Sequence, residues 1–99
     1  MKSKDFIINE LDLFVRKFSQ VRVRYEFRES SNAHFIEVSP SSVYNLDEGY
    51  ITWELEMYDK FIDLYPYEGI CFITNDALVG IENPVYIKEG LDFAIGLIA

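Results

Sequence analysis

Three residues in this chain have side chains whose type and setting suggest proton transfer or nucleophilic attack: Glu54, His34 and Cys71. At 100° per residue, Glu54 projects into the middle of a broad apolar arc, flanked by Tyr50, Ile51, Met57, Tyr58 and Phe61. A carboxylate buried there must be paired or protonated. The single histidine, His34, falls on the inward face of its strand beside Phe27, which makes a Glu54–His34 acid/base pair conceivable. The competing reading puts the Glu54 carboxylate in water at the margin of the arc and leaves His34 a satisfied core group, and we adopt it. Cys71 is a nucleophile only if His34 activates it. It sits inside the apolar run Ile70–Thr74, where a thiol is inert, so structural burial is expected. One cysteine excludes an internal disulfide, and one Cys with one His supplies no metal-ligand spacing. Five scattered glycines form no phosphate-binding loop. No enzyme activity, metal or cofactor is expected.

Charge is the more informative property. The 99 residues carry a formal net charge of −8, with an isoelectric point near 4.5. Residues 1–30 hold seven Lys/Arg against five Asp/Glu, whereas residues 31–99 hold two against twelve, a net −10. Such a chain is a poor generic ligand for nucleic acid, whose phosphates are bound largely by neutralising them. Arg22, Arg24 and Arg28 do cluster beside Phe35, a pattern that can stack and grip single-stranded RNA. With one aromatic and an acidic remainder, they read instead as a solvated face paired locally with Glu26 and Glu37. Glu56, Asp59 and Asp63 fall on one helical stripe, a docking surface for something basic, with Trp53 at its apolar margin.

The elements that position these residues follow from periodicity. Ile7, Ile8, Leu11, Phe14, Val15 and Phe18 make one apolar stripe, predicting a helix from about Lys4 with Ser3 as N-cap and an Asp12–Arg16 pair. Val21, Val23, Tyr25 and Phe27 then alternate with polar residues, a half-buried strand. Glu29–Asn32 turns the chain and His34–Val38 returns. One register sets Tyr25 opposite Ile36, Val23 opposite Val38 and Arg24 opposite Glu37, suiting both faces at once. A second helix starts after Asp47 and ends before Pro66. Ile51, Trp53, Leu55 and Met57 also alternate like a strand, but only the helical pattern persists to Leu64. Ile70–Thr74 reads as a strand covered on both faces. Ala77–Ile81 is expected to return, Val85–Lys88 to add a strand, and the tail from Leu91 to form a last one. The expected fold is α+β: a two-layer sandwich of order αββαββ(β), residues 1–99 as one domain, with a mainly antiparallel sheet and two helices on one face.

The run Phe61-Ile62-Asp63-Leu64-Tyr65-Pro66, the strand Gly69–Thr74, Asp76 and Ile81-Glu82-Asn83-Pro84 together resemble small bacterial immunity proteins of polymorphic toxin systems. That resemblance implies a single acidic cytosolic domain that binds and blocks a toxin, and it carries no residue roles. A cytosolic protein is also what the lone cysteine suggests. Phe6-Ile7-Ile8 is too short for a secretory core, and the longest apolar stretch, Phe93 to Ala99, falls far below the roughly 18–20 residues that span a bilayer. The expectation is thus a non-enzymatic binding module for a basic protein, with no nucleic-acid or membrane partner. The alternative is a self-associating domain with a ligand pocket between helix and sheet, dimerising through its apolar C-terminal segment.

Overall fold

The apolar stripe of the first segment winds α1 (Lys2–Lys17), which buries Ile7, Leu11, Phe14 and Val15 along one face. The computed structural model describes residues 2–78 and 80–94. The helix begins earlier than expected, so Ser3 lies inside it rather than capping it. Its hydroxyl donates to Glu68 Oε1 at 2.7 Å. Arg16 and Asp12 pair at 2.8 Å across one exposed turn.

β1 (Arg22–Arg28) and β2 (Ala33–Ser39) form the anticipated hairpin, with Tyr25 opposite Ile36, Val23 opposite Val38 and Arg24 opposite Glu37. Asn32 takes a positive φ of 51° in the turn, a conformation that asparagine tolerates better than most residues. The link after Pro40 is a short helix, α2 (Ser41–Leu46). α3 (Glu48–Leu64) follows at once, its N-cap Asp47 accepting from the Tyr50 amide at 2.9 Å. It stops at Tyr65, one residue before the proline that disfavours helix there.

Four corrections concern the second half. β3 (Gly69–Thr74) pairs with β2 in parallel, so the sheet is mixed rather than mainly antiparallel. The reason is the helical crossover through α2 and α3, which returns the chain to the end where β2 began. The run is not covered on both faces: β3 is an edge strand, and Cys71 is exposed. Ala77, Leu78, Gly80 and Ile81 form no strand. This stretch instead carries the chain from one edge of the sheet to the other, reaching β4 (Tyr86–Glu89), antiparallel to β1. The strand order is β3-β2-β1-β4. After β4, Leu91 and Asp92 turn and residues 93 and 94 are helical, so the expected last strand does not start at Leu91; the rest of that expectation, 95–99, lies outside the described residues. The observed fold is α+β, with three helices and a four-stranded mixed sheet.

One core joins these elements. Val23, Tyr25, Ile36 and Val38 from the sheet meet Ile7, Leu11 and Phe14 of α1 and Tyr50, Met57 and Phe61 of α3. Phe14 touches both Tyr50 and Trp53 of α3, so the two long helices pack against each other as well as on the same sheet face. The opposite face carries the three arginines. Arg24 makes a two-pronged bond to Glu37 at 2.8 Å on each arm, with Arg22 at 3.7 Å from the same carboxylate. Arg28 pairs with Glu26 and lies 4.1 Å over the Phe35 ring. Glu26 also accepts the backbone amides of Glu82 (2.9 Å) and Asn83 (2.6 Å), and Arg28 donates to the Gly80 carbonyl at 2.7 Å. The crossover is therefore strapped onto this face, with Ile81 buried beneath it.

Candidate functional site

Two places bring chemically capable groups together. One is internal. His34 has no solvent exposure, and both of its ring nitrogens are engaged: Nδ1 lies 2.5 Å from the Tyr25 hydroxyl and Nε2 lies 2.7 Å from Glu68 Oε1. Burial pushes the His34 pKa below its usual range despite the nearby carboxylate, so the imidazole is neutral at pH 7. Burial would raise the Glu68 carboxyl, but hydrogen bonds from His34 and Ser3 outweigh that and hold it low. An ionised carboxylate only accepts, so Nε2 carries the proton, and Nδ1 accepts from Tyr25. Desolvation drives the Tyr25 hydroxyl well above its ordinary pKa, keeping it a donor. The chain Tyr25–His34–Glu68–Ser3 thus ties β1, β2, the approach to β3 and α1 together. It has the donor–acceptor order of an acid/base relay, but neither Tyr25 nor His34 offers an atom to solvent. It joins these elements from within the core.

Glu68, not Glu54, is the carboxylate beside His34. The parallel register sets Ile70 opposite His34, which delivers Glu68, two residues earlier, to the imidazole. Sequence reading missed it because that placement exists only once β3 is known to run parallel to β2.

The second place is open. Between α3 and the edge of β3 that no described strand covers runs a groove of about 360 Å³ lined by Tyr44, Glu54, Leu55, Tyr58, Ile70 and Phe72, with Cys71 on its rim. Glu54 is half-buried on its wall, where one carboxylate oxygen accepts from the Tyr50 hydroxyl at 2.9 Å. Burial, together with this carboxylate, pushes the Tyr50 hydroxyl far above its ordinary pKa. The Tyr44 hydroxyl donates to the Phe72 carbonyl at 2.9 Å. Above the groove, Leu55 is 60% exposed and Tyr58 46%.

Glu56, Asp59 and Asp63 are all exposed on α3, and among the described residues none forms an ion pair. The helix's only cation, Lys60, sits 3.4 Å from Glu10 of α1. Trp53 is partly buried, 4.1 Å from Phe14 and 5.8 Å from Phe72 between ring centroids. It wedges α3 against α1 and β3, and the apolar groups facing solvent beside the carboxylates are Leu55 and Tyr58. No group of His, Cys, Asp and Glu among the described residues is arranged to hold a metal ion. No described helix is long and apolar enough to cross a membrane.

No family model matches the chain, and neither the curated proteins nor the solved structures contain a match.

Proposed function

We propose that this protein is a non-enzymatic binding module that docks a basic partner protein on the exposed face of α3, in the manner of a small inhibitor or immunity protein. One contrast supports this reading. The arginines on β1 pair with the buried carboxylates Glu26 and Glu37, whereas Glu56, Asp59 and Asp63 form no ion pair among the described residues and stand exposed on a long helix. Internal charge balance accounts for the first set and leaves the second free for a partner. Leu55 and Tyr58 beside them supply apolar area, which a lasting complex needs, because charge alone raises the encounter rate more than the lifetime. The alternative of a self-associating domain draws on the same groove, but bringing together two copies of net charge −8 is opposed by their repulsion.

The test is to reverse Glu56, Asp59 and Asp63 to Lys, confirm the fold by circular dichroism, and measure association with the partner recovered on tagged protein. Opposite potentials lift association well above a neutral rate of about 10⁵–10⁶ M⁻¹s⁻¹, an advantage that salt erodes. The reversed protein should associate more slowly and lose its salt dependence. An on-rate indifferent to both the reversal and added salt refutes the docking face.

A further inference from the structure

The geometry points to strand addition as the mode of binding: an extended, lysine- or arginine-bearing segment of another protein pairs with the free edge of β3 and lays alternate side chains into the groove beneath α3. This rests on the reading of the protein as a binding module, and it names the site and the shape of what binds.

The two edges of the sheet differ. β4 is four residues long and carries Lys88 and Glu89, features that discourage further pairing. β3 is six residues long, Gly-Ile-Cys-Phe-Ile-Thr, with no charge and no proline. One side pairs with β2 from Gly69 to Thr74, and no described strand lies on the other. One acceptor on that side is already taken, because the Tyr44 hydroxyl donates to the Phe72 carbonyl at 2.9 Å; an incoming strand exchanges that bond for a ladder bond or pairs with the backbone groups beside it. An incoming strand would lie about 4.8 Å from β3. Its side chains on the helix side would then fall beside Ile70 and Phe72 and under Leu55 and Tyr58, the space the groove leaves empty.

Charge selects the occupant. Among the described residues, Glu54 is the only charged one lining the groove, and one of its oxygens has no partner there. It favours a Lys or Arg at the inward position that reaches it, with Glu56 and Asp59 exposed further along the same helix. A second copy of this chain is the wrong occupant: joining two β3 edges would bring two acidic grooves together and offer neither a cation.

The probe is a library of ten-residue synthetic peptides, with alternate positions randomised among Val, Leu, Phe, Tyr, Lys, Arg and Glu and threonine elsewhere. It is selected on the full chain in low salt. Selected peptides should alternate apolar residues with one Lys or Arg and protect the Gly69–Thr74 amides from hydrogen exchange. N-methylating the backbone along one edge of such a peptide should abolish binding, while methylating the other edge should leave it intact. On Glu54→Lys the selection should turn to glutamate, and on Glu54→Gln it should lose its charge preference, the fold being checked by circular dichroism in both.

Failure to enrich any peptide, protection away from β3, or indifference to methylation of either edge overturns the strand-addition mode. So does a concentration-dependent dimer that brings a spin label on Cys71 close to its copy. If the recovered partner still binds with the salt dependence described above while β3 stays unprotected, the binding module stands and only this mode falls.

Discussion

Replacing Tyr25 by Phe removes a single oxygen from the core. That oxygen donates to His34 Nδ1 at 2.5 Å, and neither side chain has any solvent exposure. The ring remains, so no cavity of consequence opens and the packing against Phe27 and Phe61 around the imidazole is kept. What is lost is one hydrogen bond, and what is created is a buried acceptor that no water can reach. An unsatisfied buried polar group costs about 1–3 kcal/mol. For a domain of this size each kcal/mol shifts Tm by roughly 4–8 °C, so a fall on the order of 10 °C is expected. Urea titration at pH 8 should show a lower midpoint with an unchanged slope, since the surface exposed on unfolding is the same. Glu68→Gln should cost less, because its amide oxygen can still accept from His34 and Ser3. The ¹⁵N shifts of His34 should report a proton on Nε2 and none on Nδ1. A Tyr25→Phe stability within about 0.3 kcal/mol of the parent, less than any unsatisfied buried group is worth, would refute the relay.

Acid should weaken the fold in two stages. The folded His34 pKa lies below the ordinary 6.5, so as pH drops beneath that value the unfolded chain takes up a proton the folded one refuses. Glu68, also held low, adds a second loss as pH falls below about 4.5. Urea midpoints measured from pH 8 to pH 5 should show the first stage, and His34→Gln should remove it. Glu26→Ala should cost about 1.5–3 kcal/mol, the range of bonds to a charged acceptor, and hydrogen exchange should show the Glu82 and Asn83 amides released. Gly90→Ala would place a Cβ 2.2 Å from the Ser19 carbonyl oxygen. The backbone must shift, so thermal melts should show a loss of about 1–3 kcal/mol. Cys71, exposed on an edge strand, should react fully with a thiol reagent in native buffer; a reaction that waits for denaturant would place it inside.

The hairpin could be read from the sequence because two independent patterns agreed on it. Alternation chose the buried set, and Arg24 opposite Glu37 required the same register on the other face. Asp47 and Pro66 marked the ends of α3 because capping and the proline clash act within a few residues. The errors in the second half share one origin in long-range pairing. Ile70–Thr74 is apolar in any direction, so periodicity could not tell a covered central strand from an edge, and Cys71 was placed inside as a result. The helical crossover before it was the signal for a parallel strand, and that signal would have brought Glu68 to His34. Glu54 was singled out, but how far it is buried was not legible, because a helical wheel shows only direction, whereas its half-burial depends on β3 ending the sheet and leaving a groove beside it. That Glu56, Asp59 and Asp63 lie exposed along α3 was legible, since the outward face of a helix is a local property.

The strap across the outer sheet face is held by main-chain groups: Glu26 grips the amides of residues 82 and 83, and Arg28 grips the carbonyl of Gly80. Such an anchor recognises where the backbone passes and ignores which side chains it carries. Both Glu82 and Asn83 point into solvent. Their identities are therefore uncoupled from the path of the crossover, and this segment can drift in sequence while β4 keeps its place beside β1. Proline is the exception at either position, because it alone lacks the hydrogen that Glu26 accepts. Neutral variation should thus gather on this strap, on the sheet face opposite the one that carries α1 and α3.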